Sequence, residues 1–261
     1  MRLTRIDLNS WLLVLGQQRI LIDPWLVDPL VFLGVPWFLQ VVHRNPIAYT
    51  PQTLPPLDLI VISQAQPDHC HVPTLRQLAK TIPVVASPAA GTLIRSLGFA
   101  TVHIVQPWQS VQLRDLQITA VPGAQLGPTL ENGYVFADPV GGVLYYEPHR
   151  VTPQCQQQVA EQTQVDVLLI PVVGQIFPLL GEVIMGPEKA LATVRRIQPH
   201  TIVPTALGDV CYSGLLARAI QSVGSLEEFD QRLRQSGLAS RLIAPAPGET
   251  LVLESKHLKR G

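Results

Sequence analysis

The amino-acid sequence predicts a fold of the α/β (α+β) class, built from two mixed β-sheets flanked by helices. Three observations carry that expectation. Short β-branched or apolar runs recur along the whole chain, as strands buried on both faces do. Stretches of helical period alternate with them, but only after the first strands. Those first strands follow one another too closely for crossover helices, so a singly wound parallel sheet fits poorly. The 24 prolines are spread along the chain and punctuate elements instead of marking a linker. Residues 1–261 therefore read as one domain, with an apolar flap at about 27–50.

The elements follow in order. Trp11–Leu15 and Arg19–Ile22 read as a hairpin joined at Gly16-Gln17-Gln18. Further strands are expected at Asp58–Ser63, Ile82–Ala86, Thr101–Val105, Leu116–Val121, Tyr134–Ala137, Val143–Tyr146, Val167–Pro171, Thr201–Pro204 and Thr250–Leu253. Helices are expected at Val72–Lys80, Pro88–Leu97, Gln154–Gln162, Pro187–Ile197, Gly214–Val223 and Leu226–Gln235. Pro187 suits a first helical turn, and Glu188 complements the positive helix end. The longest apolar run, Leu30–Leu39, is about half the length of a spanning helix and is broken by Gly34 and Pro36, so it does not cross a bilayer. It reads as a buried loop or short helix, or as a lid whose Phe32, Trp37 and Phe38 cover a site or make peripheral contact with lipid headgroups. The apolar stretch after the first two arginines is too short for a secretory signal and lacks a cleavage site.

Composition narrows the function classes. Nineteen basic residues balance nineteen acidic ones, which argues against a nucleic-acid partner bound through a positive field. Three cysteines without a CxxC pair exclude a disulfide framework and point to a reducing, cytoplasmic setting. No phosphate-cradling glycine motif occurs, and Ser63 and Ser213 lack a nucleophile-elbow context. The chemistry concentrates in Ser63–His71 (SQAQPDHCH), a loop that follows the apolar strand DLIVIS. One Asp, two His and one Cys within four residues at a sheet rim suit a metal or an acid–base pair. Equally, Asp68 could cap a turn and the histidines could be satisfied surface groups. His43, His103, His200 and His257 read as surface or packing residues, and Lys256–Arg260 as a solvated tail.

Extended segments resemble the metallo-β-lactamase fold superfamily, in its ascorbate-phosphate-lactonase-like branch. These are LTRIDLNSWLLVLGQQRILIDPWL with Asp23 in its closing turn, DLIVISQAQPDHCH, ITAVPGAQ, GVLYYEPH, DVLLIPVVG, and MGPEKALATVRRIQPHTIVPTALGD. The likeness implies a four-layer αββα sandwich. It also implies a degenerate metal site. Where the family places the three histidines of its first zinc site, this chain has Gln64, Gln66 and Gln125. Of the second site, Asp68 and His69 remain, its last histidine falls at Ala206, and the bridging carboxylate position holds His149. A neutral amide is a poor zinc ligand, so the first site should not hold zinc.

Asp68, His69 and His149 would still offer two imidazoles and a carboxylate to one divalent metal (zinc, manganese or iron). His71 and Glu147 are the preferred additional ligands among His71, Cys70, Glu147, Glu182, Asp209 and Cys211. The other outcome is a metal-free pocket held by hydrogen bonds, with Gln64, Gln66, Gln125 and Ala206 in its wall. The resemblance therefore implies a hydrolase of a small-molecule ester, lactone or phosphate-type bond. Its alternative is an inactive relative that binds a ligand or serves as a scaffold. A metal-independent enzyme using His69 and His149 as base and acid is a third reading. The sequence leaves substrate and oligomeric state open.

Overall fold

The computed structural model describes residues 1–126, 129–178 and 180–254, and of residues 125, 126, 129 and 130 the backbone alone. The expected tail Lys256–Arg260, with His257, and the side chain of Gln125 lie outside the described residues. The chain divides into two compact units. Residues 1–106, 208–219 and 245–253 form the first, and residues 107–207 and 220–244 lie in the second.

A seven-stranded mixed sheet organises the first unit, in the order Thr250–Val252, Arg2–Asp7, Ser10–Leu15, Gln18–Ile22, Leu59–Ile62, Val84–Ala86 and Val102–Ile104. The first four strands pair antiparallel, and pairing becomes parallel from Gln18–Ile22 onward. Leu59–Ile62 is buried at all four residues, as a central parallel strand must be. One face packs on the helix Pro88–Ser96, with Ile60, Ile62, Val84, Ala90 and Ile94 in a shared core. Ser87 caps that helix by accepting from the Ala90 N–H, and Pro88 sits in its first turn. A small second sheet pairs Leu30–Val31, Gln40–His43 and Val210–Ser213.

The second unit has the same plan. Its seven strands run Arg241–Leu242, Thr201–Thr205, Val167–Pro171, Gly142–Tyr146, Thr129–Asp138, Leu116–Leu126 and Ser110–Leu113. Pairing is parallel up to Gly142–Tyr146 and antiparallel beyond. The helices Pro153–Gln162, Pro187–Ile197 and Leu226–Gln235 bury Val159, Val194 and Phe229 in one core with Leu168 and Ile170. Pro187–Ile197 has the bounds the sequence predicts. It starts on proline, carries Glu188 in its first turn and Arg195 and Arg196 in its last, and ends at Gln198 in the left-handed conformation.

The expected helix Gly214–Val223 does not form. Cys211–Ser213 pairs with Gln40–Val42, Leu216–Arg218 makes one 3-10 turn, and Gln221–Val223 pairs with Gly174–Ile176. Strand partners far away in sequence outbid a local helical period there. The first strand, Arg2–Asp7, and the short strands at Ser110–Leu113, Gly174–Phe177 and Gly181–Ile184 add to the expected set. Among the described residues no helix is long and apolar enough to cross a membrane.

Candidate active site

In both large sheets the chemistry-bearing residues leave the carboxyl ends of the strands at which antiparallel pairing gives way to parallel. Neighbouring strand ends diverge at such a point and leave room for side chains.

In the first unit Asp23 follows Gln18–Ile22, and Ser63–His71 follows Leu59–Ile62. Asp23 adopts a left-handed backbone (φ 42°), an uncommon conformation for a residue with a side chain. Its N–H donates to the Val61 carbonyl at 2.9 Å, and its carbonyl accepts from the Ser10 hydroxyl at 2.7 Å. Fixed in this way, the fully buried carboxylate accepts from the Ser63 N–H (2.7 Å), the Ser63 hydroxyl and His69 Nδ1 (2.7 Å). Nδ1–H is thus committed to Asp23. The other ring nitrogen, Nε2, stands 3.2 Å from an Asp68 carboxylate oxygen and 3.4 Å from the Asn9 amide nitrogen.

Burial works against the His69 imidazolium, yet the carboxylates of Asp68 and Asp23 outweigh it and raise the ring's pKa to about 10. Two residues on, His71 moves the other way. Burial lowers it to about 4, and its Nδ1 pairs with the Thr74 hydroxyl at 2.9 Å. His71 also stands edge-on to Trp25, with ring centroids 6.5 Å apart. Cys70 is buried in the apolar core. Gln64 is fully buried and Gln66 half-buried.

In the second unit the strand Gly142–Tyr146 runs out into Glu147, whose N–H still donates to the Leu169 carbonyl at 3.0 Å. A strict strand would put Glu147 and His149 on one face, two residues apart, and both are indeed buried. Glu147 Oε1 accepts from the His149 N–H at 3.2 Å. Its other oxygen lies where only a glycine fits: a Cβ on Gly133 would stand 2.7 Å from Oε2 and 3.0 Å from the Tyr146 carbonyl. Beside it burial, and after burial the Glu147 charge, pushes the Cys155 thiol up to about 12. Ala206 has a left-handed backbone (φ 57°) and packs with Val183, Ile184 and Phe177. Glu182 accepts from the Gly186 N–H and pairs with Lys189, while Asp209 binds Asn45 and Arg44.

Sequence reasoning picked out Asp68, His69, Glu147 and His149 but gave no role to Asn9, Ser63, Tyr145 or Cys155. It placed Asp23 only as a turn residue. The available signal was an Asp closing an apolar strand; its partner lies 46 residues away.

A mixed-sheet fold with Asp and His at those strand ends defines a class, the metal-dependent hydrolase-like proteins with the metallo-β-lactamase fold. The profile of the Beta-lactamase superfamily domain matches residues 2–206, and the chain belongs to that family. It is 22% identical over 198 residues to a UPF0173 metal-dependent hydrolase of Thermoplasma acidophilum, covering 73% of this chain and 76% of that one. It is 40% identical over 73 residues to cytidine monophosphate-N-acetylneuraminic acid hydroxylase of Sus scrofa, 28% of this chain, and the match spans only 16% of the hydroxylase. In structure it is similar to an isothiocyanate hydrolase from Delia radicum gut bacteria, with a TM-score of 0.77 at 18% identity, over 98% of this chain and all of that one.

Proposed function

We propose that this chain is a hydrolase of the superfamily with a reduced, at most mononuclear metal site. Asp68, His69 and His149 hold the cation, with His71 and Glu147 behind them. The substrate is a small molecule with an ester, lactone or phosphate-type bond, as in the ascorbate-phosphate-lactonase-like branch, and the setting is cytoplasmic. The observation that carries the reading is the Asp23–His69–Asp68 array. A carboxylate fixes Nδ1–H of the imidazole, so that Nε2, beside a second carboxylate, is the nitrogen a cation would take in exchange for its proton. This donor chemistry fits one divalent cation. His149 would supply the second imidazole.

The amides of Gln64 and Gln66 do not fit a second, tightly held zinc. A bound cation would supply Lewis acidity and activation of water. The protein's own part is to hold the His69 tautomer through Asp23, to keep the Asp68 carboxylate beside it, and to bury the imidazole from solvent.

The test is metal content after incubation with zinc, manganese or ferrous ion and desalting. About one equivalent is expected in the wild type, with loss in His69→Ala and His149→Ala. A wild type that retains none of the three ions overturns the reading. The second reading, an inactive relative that binds a ligand or acts as a scaffold, is favoured by the buried amide of Gln64 where the family places an imidazole. It predicts no hydrolysis of lactones, esters or phosphoesters by the metal-loaded protein.

A further inference from the structure

We propose that the small sheet of the first unit is a membrane-docking platform that seats on an anionic lipid surface. Its inner side is anchored: Leu30, Val41 and Val210 are buried with Leu8 and Trp25. Its rim is apolar and wet, with Leu33 79%, Trp37 70% and Leu215 67% exposed. Two distant segments build this rim. The Phe32 N–H donates to the Leu39 carbonyl and closes the turn between them, and the N–H groups of Leu215 and Leu216 donate to the carbonyls of Trp37 and Phe38. The last two bonds hold Leu215 against the turn. Gly214 makes that approach possible, since its φ is +101° and a Cβ there would stand 2.7 Å from the Phe38 carbonyl.

Charge selects the occupant. No Asp or Glu occurs from Pro29 to Leu57 or from Val210 to Leu226. At the edge of the sheet Arg44 pairs with Asp209 and His43 with Asp28, whereas Arg218 is exposed three residues from Leu215. An apolar rim led by a tryptophan, with the exposed guanidinium of Arg218 beside it, matches the boundary between acyl chains and anionic headgroups. A stable pairing of two protein copies buries about 800 Å² on each side, from some 20–30 residues. Three projecting side chains fall well short of that, whereas a bilayer accepts a small wedge. The inference goes beyond the metal-site reading and does not depend on it.

The chain of residues 1–261 is sedimented with vesicles of phosphatidylcholine alone and with vesicles of equal parts phosphatidylcholine and phosphatidylserine. Binding is expected to the anionic vesicles. It should fall roughly tenfold or more in Leu33→Ser/Trp37→Ser/Leu215→Ser, and weaken in Arg218→Gln at low salt but not at high salt. Should the triple variant not fold, Trp37→Ser and quenching of wild-type tryptophan emission by brominated lipid read the same contact. Trp11 and Trp25 are buried and Trp108 is half-buried against the core of the second unit, so most of the quenching should be lost in Trp37→Ser. Absence of sedimentation with anionic vesicles overturns the proposal, as does quenching unchanged in Trp37→Ser. So does a wild-type dimer that the variants dissolve, which would make a second copy the occupant. His69→Ala should bind vesicles as wild type does, so a failed metal site and a failed platform give different results.

Discussion

The two units place chemistry at the same topological position but prepare it differently. In the first, Asp23 accepts from Ser63 and His69, and an Asp68 oxygen stands beside the far nitrogen of the same imidazole, forming a hydrogen-bonded charge array. In the second, Glu147 is a fully buried carboxylate, fitted against a glycine and flanked by a phenol and a thiol, with His149 two residues on. One half orients an imidazole electrostatically; the other makes room for an acid by steric allowance. His69 and His71 teach the same lesson at closer range. They are two residues apart and both buried, yet their pKa values part because only His69 faces two carboxylates.

If the first unit depends on the array, Asp23→Ala should have the largest effect. It strips partners from Ser63 and His69 and leaves a buried cation with one carboxylate fewer. A loss of about 3–5 kcal/mol in chemical denaturation is expected, and Asp23→Asn should lose less. A loss below about 1 kcal/mol would show that the array is no structural unit.

For the second unit, Gly133→Ala should cost about 1–3 kcal/mol, because the new methyl meets the Tyr146 carbonyl and the Glu147 carboxylate. Gly133→Ala combined with Glu147→Gln should recover little, since the carbonyl contact is backbone and stays. Full recovery would place the whole constraint on the carboxylate.

Helix capping gives a smaller, matched pair. Ser87→Ala in the first unit and Thr152→Ala in the second each remove a side-chain oxygen that accepts from a first-turn N–H, and each should cost about 1 kcal/mol. Unequal costs would show that one unit unfolds before the other.

Thiol reactivity gives the mildest readout. The Cys155 pKa is raised from 9.0 to about 12, so the folded state holds its proton where the unfolded chain releases it. The stability this contributes is fully present below about 9 and is lost as the pH rises through 12. In native protein at a pH near 9, mass spectrometry after alkylation should find exposed Cys211 modified and buried Cys70 and Cys155 intact. Early modification of Cys155 would refute its burial beside Glu147.

Local signals were enough to read much of this molecule. The strand Val167–Pro171 and the helix Pro187–Ile197 have the bounds the sequence predicts, because an apolar run and a proline start with charged ends act within a few residues. The loop with Asp68 and His69 stood out for the same reason, as ionisable groups crowded behind an apolar strand. The stretch from Gly214 to Val223 misled, because its helical period competes with strand partners more than 40 residues away and with backbone bonds to Trp37 and Phe38.

The sequence by itself determined the class of fold and the ionisable residues at the strand ends. Only the tertiary structure decided that Asp23 clasps His69, that Gly133 makes room for Glu147, and that Leu215 closes onto the turn bearing Trp37. Those pairings join residues that are distant along the chain and depend on strand register. Local composition carries no trace of register, because it is fixed by the whole sheet at once.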